Sequence, residues 1–200
     1  YQLEQSYKAQ GLIGASVPAT EHSVMCMGTK ESEIETFRRL IKLYPTGILS
    51  VVSDTWNLWD VCTKFLPELK EEILARDGKL VIRPDSGDPV DIICGIKEVE
   101  ELSLYDARSN NWTLVVCKGK VYEFDLDRYE EDLEEYGEQS DFDKRDYFDE
   151  VTKSEAEIKG VIELLWDTFG GTINSKGYKV LDSHIGAIYG DSITLDRATQ

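Results

Sequence analysis

The stretch Lys79-Leu80-Val81-Ile82-Arg83-Pro84-Asp85-Ser86-Gly87-Asp88-Pro89 decides the reading of the fold. A short apolar run, Leu80 to Ile82, stops at a charged, turn-rich cluster. Pro84 and Gly87 turn the chain, and Gly87-Asp88-Pro89 is a strong loop signal in which Asp88 serves turn chemistry. The same pattern recurs on both sides. Gly14 to Pro18 leads into Ala19-Thr20-Glu21-His22-Ser23, Ile48 to Ser53 leads into Asp54, and Ile185 to Tyr189 leads into Gly190-Asp191. Helical patterns fill the intervals. Ser32 and Glu35 have capping-box spacing ahead of a helix over 32–44, with Ile34, Phe37, Ile41 and Tyr44 on one face. A second helical stretch runs from Trp56 to about Ala75, broken near Pro67. Ser154 and Glu157 cap a third over 158–169, ended by Gly170-Gly171, and a further helix is expected near Thr194. Strands alternating with helices predict an α/β fold, a parallel sheet or barrel of four strand-helix units.

The chain has 200 residues, 41% of them hydrophobic, enough for the core of one ordinary domain. Its formal net charge of -17 makes nucleic acid and anionic membrane surfaces poor partners, because both require clustered Lys and Arg. The apolar runs are of strand length, and no stretch reads as a transmembrane helix or signal peptide. Cys26, Cys62, Cys94 and Cys117 form no CxxC pair and have only two histidines to help them. This argues against a zinc cluster and for a reducing, cytoplasmic setting. The opening at Tyr1, without Met, reads as a fragment or a processed product.

The charge is concentrated in one place. Residues 97–158 hold 20 acidic and 8 basic side chains, a net -12, which leaves only -5 for the other 138 residues. The expected organisation is a first body segment over 1–96, an acidic insertion over 97–158 and a continued body over 159–200. Within the insertion, Trp112–Val116 and Val121–Leu126 flank Cys117-Lys118-Gly119-Lys120 as a β-hairpin, and Asp127–Glu150 is expected to be helical in part. The insertion reads as a solvated segment packed by its aromatics; the alternatives are an arm for a basic partner or a cation-attracting surface. The tryptophans are expected to pack in the core or at its rim.

In parallel α/β folds ligands bind where the strands end. The candidate residues there are His22, Asp54, Arg83, Asp85, Gly190 and Asp191, a set that suits a phosphorylated sugar. Arg83 offers a planar fork of donors for phosphate oxygens, and Asp85 and Asp191 suit a ribose diol or Mg²⁺ carried in by a polyphosphate. Gly190 allows close backbone approach. His22 can bind an anion, shuttle a proton or accept a phosphoryl group, with Asp54 orienting its ring. Purely structural readings stand beside these: Asp54 as the cap of the following helix, Arg83 and Asp85 as a local ion pair, His22 as a packed side chain.

Five motifs in order carry a resemblance: residues 16–23, Ser50-Val51-Val52-Ser53-Asp54, Ile82 to Pro89, Ser175-Lys176-Gly177-Tyr178-Lys179-Val180-Leu181, and Gly190-Asp191. Together they closely resemble the nicotinamide phosphoribosyltransferases over about residues 10–95 and 160–200. The resemblance implies a partial type II phosphoribosyltransferase α/β barrel carrying the acidic insertion. It implies synthesis of nicotinamide mononucleotide and pyrophosphate from nicotinamide and phosphoribosyl pyrophosphate with Mg²⁺, aided by ATP, in a homodimer. His22 matches the histidine that lies by the pyrophosphate and becomes phosphorylated, and Asp54 the aspartate that holds it. Arg83 matches the arginine near nicotinamide and phosphate, and Asp85, Gly190 and Asp191 match positions lining the ribose. The family's base-reading aromatic and aspartate and its basic, glycine-rich phosphate segment have no match here, so the 200 residues alone are expected to be inactive. Nicotinate phosphoribosyltransferase is the competing activity, and a non-catalytic acidic interaction module is the alternative of a different class.

Overall fold

The computed structural model describes residues 16–137 and 141–190. Its first sheet is parallel, with β1 (Thr46–Val52) beside β2 (Asp77–Arg83) and β2 beside β9 (Ile185–Ala187). On the outer side of β1, Ala19 forms a single parallel bridge with Ser50. Thr20 N donates to Ser50 O at 3.0 Å, and Ser50 N donates to Pro18 O at 2.9 Å. The four paired segments therefore lie side by side in chain order and run the same way, an open α/β arrangement; no closed sheet is formed among the described residues. The strand expected over Gly14 to Pro18 is displaced: Gly14 lies outside the described residues, and the pairing falls on Ala19. Pro18, lacking an N–H, contributes only its carbonyl.

One face of this sheet carries the main core. Leu49 and Val51 of β1, Leu80 and Ile82 of β2, and Ile185 of β9 alternate toward the helices, as the two-residue period of a strand requires. The helices covering them are α1 (His22–Met25), α2 (Glu33–Leu43), a run over 58–74 and α9 (Glu155–Phe169). Helix α2 matches the expected span, with Phe37, Leu40 and Ile41 buried. The expected Ser32/Glu35 capping box is not formed. Ser32 instead turns back one 3₁₀ turn and pairs with Thr29, its Oγ accepting from Thr29 N at 2.8 Å. The run over 58–74 consists of α3 (Leu58–Asp60), a π-helical turn Val61–Phe65, α4 (Leu66–Glu68) and α5 (Lys70–Leu74). Pro67 is tolerated in the first turn of α4, where its missing N–H costs nothing, and the break falls just after it at Leu69.

Residues 97–151 make a second sheet and a second core. Strands β3 (Lys97–Val99), β4 (Leu114–Cys117), β5 (Lys120–Phe124) and β6 (Phe148–Val151) pair in that order, with α7 (Leu104–Ser109) and α8 (Leu126–Tyr136) packed on them. The expected hairpin is β4–β5, turned by Lys118 (φ 51°) and Gly119 (φ 77°), the doubly positive φ of a tight hairpin turn. Phe124, Tyr129, Phe142, Tyr147 and Phe148 form the core through tilted and edge-to-face ring pairs 5.0–6.0 Å apart. The helix expected within Asp127–Glu150 is α8. None of the four tryptophans is fully buried, and Trp56 is 43% exposed, so they are rim rather than core residues.

The chain enters and leaves this unit at one backbone contact. Helix α6 (Pro89–Cys94) ends at Gly95 (φ 84°), and α9 is kinked at Gly160 (φ 74°). Ile96 N donates to Ile158 O at 3.0 Å, and a Cβ on Gly160 would sit 2.2 Å from Gly95 N. Both positions combine a left-handed φ with no room for a side chain, so only glycine fits. Gly160→Ala is therefore expected to destabilise the protein by at least about 3 kcal/mol. Gly119→Ala, with φ 77° but open space around it, should cost only about 1 kcal/mol. Urea-unfolding midpoints of the two variants check the contrast, and equal losses would contradict it.

Candidate active site

The site is assembled where the parallel strands end. His22 opens α1 just past the Ala19 bridge, Asp54 lies two residues beyond β1, and Asp85 two residues beyond β2. Asp54 does not cap the following helix. Asn57 does, its Oδ1 accepting from Trp59 N at 2.9 Å and Asp60 N at 3.0 Å. Asp54 is thereby free to bind the β2 loop. Its Oδ2 accepts from Asp85 N at 2.9 Å, Ser86 N at 3.0 Å and Ser86 Oγ at 2.6 Å. Its side chain is only 6% exposed. Burial pushes the Asp54 carboxyl up, but the hydrogen bonds from Ser86 and the Asp85 backbone outweigh it and hold the group below the usual carboxylate range.

The His22 ring bridges the loops. Nε2 is 3.0 Å from Asp85 Oδ1 and 3.9 Å from Asp54 Oδ1, and Nδ1 is 2.9 Å from Thr55 Oγ1. One ligand atom from each of His22, Asp54 and Asp85 lies within 4.8 Å of the others. The sequence-predicted trio is thus brought together, with Asp85 nearer to the ring than Asp54. His22 is half-exposed, so it is not a packed core side chain.

Arg83 makes no ion pair with Asp85 among the described residues. Its Nη2 donates to Thr20 O at 2.5 Å, its Nε is buried without a partner among the described residues, and Gly190 lies against its stem: a Cβ there would be 3.1 Å from Arg83 Cδ. Gly190 N reaches Pro84 O at 3.4 Å, and Tyr189 Oη donates to Gly87 O at 2.7 Å, so the chain leaving β9 is tied to the β2 loop. Asp191 lies outside the described residues. Asp88 caps α6 through Val90 N (2.9 Å) and Asp91 N (3.2 Å), as its turn setting predicts. Two recesses of about 420 and 610 Å³ flank Trp112, but neither is lined by His22, Asp54, Asp85 or Arg83, so convergent polar chemistry rather than volume marks the site.

Sequence reading assigned no role to Thr55, Ser86 or Glu33. Ser86 sits inside the quoted loop motif and Thr55 follows Asp54, so both were in view; nothing in the one-dimensional pattern tells which hydroxyl turns inward. Glu33 opens α2 yet is 1% exposed, and its Oε1 has no hydrogen-bond partner among the described residues. Burial, with the charges of Asp54 and Asp60 adding to it and Lys30 opposing, pushes its carboxyl up to about 7. The folded protein thus holds this proton more tightly than the unfolded chain. Glu33's contribution to stability is full below about pH 4.5 and is lost as the pH rises through about 7. Glu33→Gln is expected to leave stability unchanged near about pH 4 and to raise it by about 3 kcal/mol near about pH 9. Urea midpoints at the two pH values check this, and no gain on the alkaline side counts against it.

Residues 5–200 match the model of the nicotinate phosphoribosyltransferase family, a range that includes the acidic segment. The chain is similar to a nicotinamide phosphoribosyltransferase of Acinetobacter baylyi, 44% identical over 98% of this chain and 30% of the relative. It is also similar to one of Mycoplasma pneumoniae, 34% identical over 94% of this chain and 30% of the relative. A third, from Mycoplasma genitalium, is 30% identical over 91% of this chain and 29% of the relative. The chain spans about 30% of the length of these relatives.

Proposed function

The chain belongs to the nicotinate phosphoribosyltransferase family, and from that membership we propose that it supplies part of the active site of a nicotinamide phosphoribosyltransferase. The reaction joins nicotinamide to phosphoribosyl pyrophosphate, giving nicotinamide mononucleotide and pyrophosphate in NAD salvage. The observation that carries this reading is the 44% identity, over 98% of the chain, to a relative bearing that name. The polar cluster at the strand ends supports it. Breaking the glycosidic C–O bond develops positive charge on the ribose and negative charge on pyrophosphate, which carboxylates and a guanidinium are suited to stabilise.

His22 lies by the pyrophosphate and carries the phosphoryl group when ATP assists; its half-exposed ring between two carboxylates supports that role. Asp54 and Asp85 share in holding the ring. Arg83 contacts the anionic substrate, and Asp85, Gly190 and Asp191 line the ribose. Mg²⁺ binds through one or two protein carboxylates and completes its shell with water and phosphate. Asp85 fits that requirement, its carboxylate being partly exposed beside the cluster, with Asp191 as its partner. When bound, the metal would supply charge neutralisation of the leaving pyrophosphate.

The fold extends this reading as part of a type II barrel, with 97–158 as an inserted acidic module. Four parallel segments in chain order support it, as does the face away from the helices, where Ile48 is 46% and Ile188 52% exposed. Parallel sheets are ordinarily covered on both faces. The complete enzyme is taken to be a cytoplasmic homodimer. No helix among the described residues is long and apolar enough to cross a membrane.

The complete polypeptide carrying these residues is expected to form nicotinamide mononucleotide and to prefer nicotinamide to nicotinic acid when the two bases compete. Asp85→Ala and Arg83→Ala should each lower kcat/KM at least about 100-fold with the fold intact by circular dichroism. Preference for nicotinic acid would replace the substrate. Full activity in both variants would remove the site. Product formation by the 200-residue chain alone would contradict its expected inactivity.

A further inference from the structure

The two edges of the His22 ring meet different chemistry. Asp85 Oδ1 at 3.0 Å and Asp54 Oδ1 at 3.9 Å both face Nε2, while the Thr55 hydroxyl faces Nδ1 at 2.9 Å. An ionised carboxylate only accepts hydrogen bonds, so a carboxylate at 3.0 Å requires a hydrogen on Nε2. A neutral imidazole has one N–H, which leaves a lone pair on Nδ1. A hydroxyl can donate to that lone pair, as a third carboxylate there could not. Threonine also suits the task sterically, because its branched Cβ restricts χ1 and holds the hydroxyl in one direction. Its neighbours are themselves fixed, since Asp54 is tied to the β2 loop and Asn57 caps the next helix.

We propose that Thr55 is a positioning residue for His22: its hydroxyl donates to Nδ1 while Asp85 accepts from Nε2–H, and the two contacts together fix the orientation of the ring. This rests on the reading of His22 as a reacting group.

Nitrogen-resolved NMR of His22 in the complete polypeptide reads the tautomer. The expected result is a protonated Nε2 and an unprotonated, hydrogen-bonded Nδ1. In Thr55→Val, which keeps the shape and loses the hydroxyl, Nε2 should stay protonated opposite Asp85 while Nδ1 loses the chemical shift of a hydrogen-bonded nitrogen; in Thr55→Ser the original pattern should return. Activity should follow. A ring free to turn from its working orientation lowers turnover in a histidine-dependent enzyme, so Thr55→Val is expected to lose at least about 10-fold in kcat with KM for phosphoribosyl pyrophosphate within about 3-fold. Thr55→Ser should stay within about 3-fold of the parent. A wild-type ring protonated at Nδ1, alone or together with Nε2, overturns the proposal, as does a Thr55→Val protein with the parent's spectrum. If His22→Ala keeps full activity, the catalytic reading of His22 fails on its own, and the spectra still decide the role of Thr55.

Discussion

A buried carboxylate is costly unless it finds donors, and the site is organised around the way Asp54 satisfies Oδ2 while Oδ1 faces the His22 ring at 3.9 Å. Three hydrogen bonds from the Asp85-Ser86 dipeptide converge on one oxygen, Oδ2, so the end of β1 and the loop after β2 are joined through a single atom. That junction aims the Asp85 side chain at His22. The other strand ends are tied in by backbone groups: Ser53 N donates to Arg83 O, Arg83 reaches Thr20 O, and Tyr189 reaches Gly87 O. Without the Asp54 contacts, four loops would share an edge of the sheet but not a geometry.

The large negative charge belongs to a different part of the molecule. The acidic unit folds on an aromatic core, while many of its carboxylates sit on the surface in exposed pairs such as Lys120–Glu150 and Lys144–Glu101. Pairs of this kind contribute about 0–1 kcal/mol each, so the charge is chiefly a solvated surface and not what holds the unit together. Beside an apolar cluster of Ile96, Val116, Val121 and Ile158 and a 2.7 Å hydrogen bond from Thr113 Oγ1 to Asp91 Oδ2, the Gly95–Gly160 backbone contact joins the unit to the body. Through α6, whose cap Asp88 closes the β2 loop, that contact lies one short helix from the site.

Much of this was legible one-dimensionally because it is local. Apolar runs that stop at polar clusters mark β1, β2 and β9, and each stop carries a residue of the site. Phe37 and Ile41 repeat at helical spacing, and Ser154 with Glu157 forms its capping box as spaced. The failures have different causes. Ser32 is taken by an equally local partner, Thr29, three residues before it in a 3₁₀ turn, whereas Asp54 is taken by the β2 loop, a tertiary contact across 31 residues. The short hairpin of β7 (Gly171–Ile173) and β8 (Lys179–Leu181) gave no periodic signal, being only three residues a side.

Residue types and their spacing by themselves determined the α/β class, the concentration of acidic charge over 97–158 and the choice of His22, Asp54 and Asp85 as candidates. Only the tertiary structure decided which atom meets which. Asp85 and not Asp54 is closest to the ring, Thr55 stands on its far edge, and Arg83 turns to a backbone carbonyl instead of a neighbouring acid. Local pattern is set by backbone period and by what a side chain can do. Partner choice is set by competition among donors brought together across thirty or more residues, and that competition is resolved only when the strands are packed side by side.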